Sequence, residues 1–152
     1  KNIKNSCAYI VLFAHWGVEY SQTASERQKI LSHEFVDAGA DLVIGAHPHV
    51  VEPVEIYNNK AIFYSLGNFI FDQNFSFATE HGLAINVEWD DTKTRFTLVP
   101  VSIDRAEVKI AEPSDRQKVL SSLVDNYLPV DIVSTIMKTQ EFTLWNNNPN
   151  NQ

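Results

Sequence analysis

The sequence predicts an α/β fold of the α+β kind. It opens as strand–helix–strand, continues in antiparallel hairpins and ends with a C-terminal helix, around a mixed sheet. Three observations predict this. Two apolar runs, 7–14 and 41–45, flank a stretch of helical spacing. Residues 82–89 place large apolar side chains at every second position, Leu83, Ile85, Val87 and Trp89. Turn residues stand between the later apolar runs, "NN" at 58–59 and "DDTK" at 90–93.

Each element has its own justification. "CAYIVLFA" (7–14) is nearly all apolar, with β-branched and aromatic residues, as expected of a parallel strand buried on both faces. Thr23 with Glu26 and Ser25 with Gln28 both match a capping box. Ile30, Leu31, Phe35 and Ala38 follow on one helical side, and Gly39 is a natural stop. "DLVIG" (41–45) is the second strand; a strand–helix–strand unit makes the two parallel, with a right-handed crossover. "VVEPVEIY" (50–57) and "KAIFYSL" (60–66) flank the Asn58–Asn59 hairpin turn. Leu83, Ile85, Val87 and Trp89 line one face of a strand that "RFTLVPVSI" (95–103) answers. "PSDRQ" (113–117) starts a helix with Ser114 as N-cap and Leu120, Leu123, Val124 and Tyr127 as its apolar side. One domain over 1–145 and a polar, asparagine-rich tail at 146–152 complete the plan.

Composition narrows the function. The 152 residues are 44% hydrophobic and 20% charged, as in a folded globular chain, and no apolar run approaches the roughly 20 residues of a membrane span. The chain starts at Lys1, as expected of a piece of something longer. The net charge is −7, and Lys60 is the only Lys or Arg between Ile30 and Thr92. That excludes nucleic acid as a partner, because phosphate neutralisation needs many cations. An anionic substrate would need a metal ion to balance it. Cys7 is the only cysteine, so no internal disulfide is possible.

The chemistry lies in histidines. His15 follows the first strand, and His47 and His49 follow the second. Parallel neighbours end on one edge of the sheet, so three of the five histidines converge where open α/β sheets bind ligands. Pro48 is expected to push His47 into extended backbone, aiming His47 and His49 to one side as a pre-set ligand pair. Imidazole suits zinc, iron, nickel or manganese better than calcium or magnesium. A single strand-end histidine is an ordinary hydrogen-bonded polar residue; three at one edge form a candidate metal site. His33 reads as a surface partner of Asp37, and His81 as a loop residue. Glu19 and Tyr20 either orient His15, contact substrate or face solvent. Asn68 binds substrate, braces the histidine loop or simply turns the chain. Asp72 is a histidine acceptor or a loop cap. Phe69, Phe71, Phe75 and Phe77 are core or, if exposed, a groove for a polymer or partner.

"HWGVEY", "DAGADLVIGAHPHVVEPVEIY" and "FYSLGNFIFDQ" together resemble the C-terminal half of bacterial capsule-synthesis proteins of the CapA (poly-γ-glutamate) type, over about Tyr9 to Ile103. These proteins are similar in fold to calcineurin-like metallophosphoesterases, so the resemblance implies half of a two-sheet sandwich with a two-metal site of Mn, Fe or Zn type. His15 matches the isolated histidine ligand, and His47 and His49 match the paired one. The family's first half carries an aspartate "GD" motif and further ligands that this sequence lacks, so the N-terminal half is an expected partner. Alone, the chain is expected to hold at most one metal and to be inactive. The resemblance further implies an extracytoplasmic, membrane-associated protein with capsule-synthesis membrane partners and a phosphoester or anionic polymer as substrate. The alternatives are a non-catalytic polymer-binding or scaffold module, and a mononuclear zinc hydrolase with Glu19 as general base.

Overall fold

A computed structural model describes residues 6–124 and 128–146. Its elements are β1 (Val11–His15), α1 (Glu26–Asp37), β2 (Leu42–Ala46), β3 (Val54–Tyr57), β4 (Lys60–Phe63), β5 (His81–Trp89), β6 (Lys93–Asp104), β7 (Glu107–Ile110), α2 (Pro113–Ser122), α3 (Val130–Thr139) and β8 (Glu141–Trp145). They form two sheets. The first has the order β1-β2-β4-β3, parallel except for the β3–β4 hairpin. The second is antiparallel, β5-β6-β7 with β8 also on β6.

Side-chain alternation along the first sheet divides the core. Leu42, Ile44, Ala61 and Phe63 face the second sheet and meet Phe96, Leu98, Phe142 and the buried sides of α2 and α3. Val43, Ile62 and Tyr64 point the other way, onto Val36 of α1, with Trp16 and Phe35 beside them. Phe63 lies 5.9 Å from Phe96 and 6.4 Å from Phe142 between ring centroids, so the two sheets are in direct contact. Among the described residues no helix is long and apolar enough to cross a membrane.

Several expectations need correction. The first strand is not buried on both faces: β1 is an edge, and Phe13 is 71% exposed. Helix α1 uses the Ser25–Gln28 capping box, and it buries Gln28, Ser32 and Val36 rather than Ile30 and Ala38. Hydrogen bonds allow this rotation, from Gln28 to Glu52 and from Ser32 to Tyr64. Helix α2 starts two residues earlier than predicted, with Glu112 rather than Ser114 as N-cap and Pro113 in the first turn, where its missing N–H costs nothing. Tyr127, and the tail beyond Asn146, lie outside the described residues. The single C-terminal helix is in fact α2, α3 and a returning strand, β8, and the short β7 was also not predicted.

Candidate metal centre

The parallel pairing of β1 with β2 sets the site. His15 lies opposite Ala46 in the register, so both strands end together. The loops that follow are bonded to each other: Trp16 N–H donates to Ala46 O at 3.0 Å, and Tyr20 N–H to Pro48 O at 2.8 Å. His15 and His47 come within 4.8 Å, and His47 and His49 within 6.1 Å, between ring centroids.

The backbone route differs from the expected one. His47 has φ +105° and His49 φ +62°, so neither is in extended chain. The turn must reverse at once after β2 to bring both rings over the sheet edge, and the Tyr20–Pro48 bond holds it there. Non-glycine residues in this region cost about 1–3 kcal/mol each, and such strain tends to gather at functional sites. Tyr20, at φ +64°, adds a third strained residue to the same loop pair.

The ligand-bearing atoms of Glu19, His47 and His49 all lie within 4.8 Å of one another. Glu19 is exposed, and the two histidines are half-buried. His15, exposed at the end of β1, stands beside His47 and outside that trio. Two imidazoles and a carboxylate fit a borderline divalent ion of the manganese, iron or zinc kind, with coordination positions left open.

His49 is oriented from behind. Asn68 Nδ2 donates to Thr79 O at 3.0 Å and to Gln73 Oε1 at 3.2 Å, which turns its Oδ1 toward His49. His49 Nδ1 lies 2.8 Å from that oxygen and must carry the proton, leaving Nε2 free as a ligand. This is the arrangement in which an outer partner fixes the tautomer of a metal-binding histidine. Asn68 is 6% exposed with both ends of its amide engaged. Gly82 makes room for it, since a Cβ there would lie 1.9 Å from Asn68 O. Gln73, which sequence reasoning missed, also donates to Tyr20 Oη at 3.0 Å and so ties the two loops together. Tyr20 stacks near His49, with 6.0 Å between ring centroids. Asp72 is exposed and is not among His49's partners.

Beneath the loops lies a buried acid. Glu52 is fully buried; its Oε2 accepts from Gln28 Nε2 at 2.7 Å, and its Oε1 has no hydrogen-bond partner among the described residues. Burial pushes its carboxyl up to about 7, against the Gln28 bond, which lowers it. Gln28 in turn accepts from Ser25 N at 2.9 Å and underlies Gly17 and Pro48, so Glu52 anchors the start of α1 to the floor of the site.

The remaining singled-out residues sort clearly. Phe69, Phe71, Phe75 and Phe77 are exposed and do not form core. Phe71 lies against His49 at 4.9 Å, and Phe75 meets Tyr20 edge-on at 5.3 Å, so these two form an apolar rim. His33 pairs with Glu55 at 2.9 Å and stacks on Tyr57, whereas Asp37 takes Tyr57 and Asn58 instead. His81 is not a loop residue: it begins β5, is buried, bonds Phe77 O at 2.7 Å and stacks on the Phe77 ring.

Residues 1–73 match the family described as bacterial capsule synthesis protein PGA_cap. The chain belongs to the CapA-type capsule synthesis proteins. Among its relatives, the PGA biosynthesis protein CapA of Bacillus subtilis (strain 168) is 38% identical over 118 residues, 77% of this chain and 31% of that protein. The capsule biosynthesis protein CapA of Bacillus anthracis is 36% identical over 121 residues, 79% of this chain and 29% of that protein. A probable polyglutamine synthesis accessory protein of Mycobacterium tuberculosis is 32% identical over 62 residues, 41% of this chain and 16% of that protein. The chain spans about a third of the length of the two CapA relatives.

Proposed function

We propose that this chain supplies the histidine-bearing part of a metal-dependent, metallophosphoesterase-like site in a protein of poly-γ-glutamate capsule synthesis. The observation that carries the reading is the convergence of His15, His47 and His49 at one sheet edge, with His49 held in a ligand tautomer by Asn68. A divalent ion bound there would supply Lewis acidity toward a phosphoryl or carboxyl oxygen. The chain's own residues orient the ligands: Asn68 fixes His49, Gln73 holds Tyr20 over it, and the strained 47–49 turn aims both rings.

A two-metal site needs bridging carboxylates, and we assign these to the rest of the full-length protein, in keeping with CapA relatives of which the match covers only 31% and 29%. The exposed edge of β1 fits that assignment. Beside it lies a cleft of about 660 Å³ lined by Leu12, Phe13, Leu31 and Phe35 with His15 at one end. An unpaired apolar edge strand is a surface that calls for cover. On this reading the protein works outside the cytoplasmic membrane, with capsule-synthesis membrane partners, on an anionic polymer or phosphoester.

Metal analysis and p-nitrophenyl phosphate hydrolysis by the full-length protein test the proposal. His47→Ala with His49→Ala should abolish turnover and lower metal content. Unchanged metal content in that double variant would overturn the ligand assignment. A second reading, a non-catalytic module that binds the polymer, is favoured by the exposed Phe71 and Phe75 rim. Poly-γ-glutamate binding that persists without metal, together with no turnover, would select it.

A further inference from the structure

The geometry points to Glu19 as a metal ligand, completing a two-histidine, one-carboxylate set with His47 and His49 and leaving His15 outside that ion's shell. This rests on the metal-site reading above and goes beyond it by naming which side chains hold the ion this chain binds.

Four observations converge on Glu19. Its carboxylate and the two imidazoles are mutually within 4.8 Å, a grouping that His15 does not join. The placement is built rather than incidental. The residue after it, Tyr20, adopts φ +64° and donates its N–H to Pro48 O, which folds the 15–20 loop back over the His47–His49 turn. The carboxylate also has no cationic side chain as partner among the described residues. Lys60, the nearest basic residue in sequence on the far side of the histidine turn, is engaged with Asp41 at 2.8 Å. Finally, Asn68 holds the His49 Nδ1 proton away from the site, so the His49 donor atom is Nε2.

The charge arithmetic agrees. Two neutral imidazoles, one carboxylate and a divalent ion leave a net charge of about +1, enough to hold an anionic group at an open position. Three protein ligands with further positions free is the pattern of a reactive rather than a structural site. His15, 4.8 Å from His47 between ring centroids, lies close enough to serve a second ion or a bound anion.

Cobalt(II) is a suitable probe, because its absorption bands report ligand number and type independently of turnover. In the full-length protein, Glu19→Gln should weaken cobalt(II) binding by more than about 100-fold and change its visible spectrum, since loss of even an outer partner typically costs 10–100-fold. Glu19→Asp should recover part of the loss. His15→Ala should weaken the same ion by less than about tenfold. Should Glu19→Gln bind cobalt(II) as the wild type does while His47→Ala does not, the Glu19 assignment falls and the histidine reading stands. Should His15→Ala lose as much as Glu19→Gln, the exclusion of His15 falls. If neither the wild type nor any variant takes up cobalt(II), the metal reading itself fails. Unchanged thermal melting of both Glu19 variants, expected for an exposed side chain, separates ligand loss from unfolding.

Discussion

The two sheets of this protein place backbone strain differently. In the second sheet, β5 and β6 pair without interruption from His81–Ser102 to Trp89–Thr94, and the positive-φ residues Arg105 and Ala106 sit in the two-residue turn to β7. Such turns require that conformation. In the first sheet, Asn58 and Asn59 serve the same purpose between β3 and β4. Yet Tyr20, His47 and His49 are also left-handed, with no hairpin to justify them. The segment leading into β3 carries the buried Glu52, whose Oε1 has no hydrogen-bond partner among the described residues, as His81 Nε2 at the start of β5 has none. Strain that no local turn explains, gathered at one strand edge, sets the half with the candidate site apart from the second sheet.

That contrast can be broken from either side. The largest stability effect belongs to the second sheet. Phe96→Ala should cost about 3–5 kcal/mol in urea unfolding, because Phe96 is buried between Phe63 and Phe142, while metal affinity of the folded protein stays the same. A shift in metal affinity there would mean that the two halves are not separable.

Next is Glu52. Because its folded carboxyl titrates near 7 rather than 4.5, the folded state holds this proton more tightly than the unfolded chain. Stability from this source is complete below about pH 4.5 and is lost as pH rises through about 7, on the order of 2–3 kcal/mol in all. Glu52→Gln should flatten the stability profile across that window. An unchanged slope would place the titrating group elsewhere.

Smaller in stability but larger for the site are two changes at the junction of the sheets. Gly82→Ala must push Asn68 away from a Cβ only 1.9 Å from its carbonyl oxygen. Asn68→Ala removes the acceptor of His49 Nδ1. Each should cost about 1–3 kcal/mol and weaken metal binding by about 10–100-fold. Nitrogen-15 shifts of His49 would report the loss of its fixed tautomer. Last, Phe75→Ser on the exposed rim should change stability by no more than about 0.5 kcal/mol, yet weaken binding of an anionic polymer that packs on the rim.

How legible each part was follows from its physics. The crossover unit, the Asn58–Asn59 hairpin and the 82–103 pair could be read because side-chain period and turn chemistry are local signals. Elements β7 and β8 are only four and five residues long and, unlike the equally short β3 and β4, are not marked by a turn signal such as Asn58–Asn59. The misjudged burial of 7–14 has a different cause: composition records what a strand is suited to touch, and the outer face of β1, with Val11 and Phe13, is left largely exposed by the described residues.

For the site, the sequence alone determined that His15, His47 and His49 meet at one rim, since two parallel strands must finish on the same side of a sheet. Only the tertiary structure decided that Glu19 joins His47 and His49, that Asn68 and Gln73 stand behind them, and that the turn is left-handed rather than extended. Those outcomes depend on bonds between loops far apart in sequence, such as Asn68 to Thr79 and Tyr20 to Pro48, and no local preference of the chain encodes them.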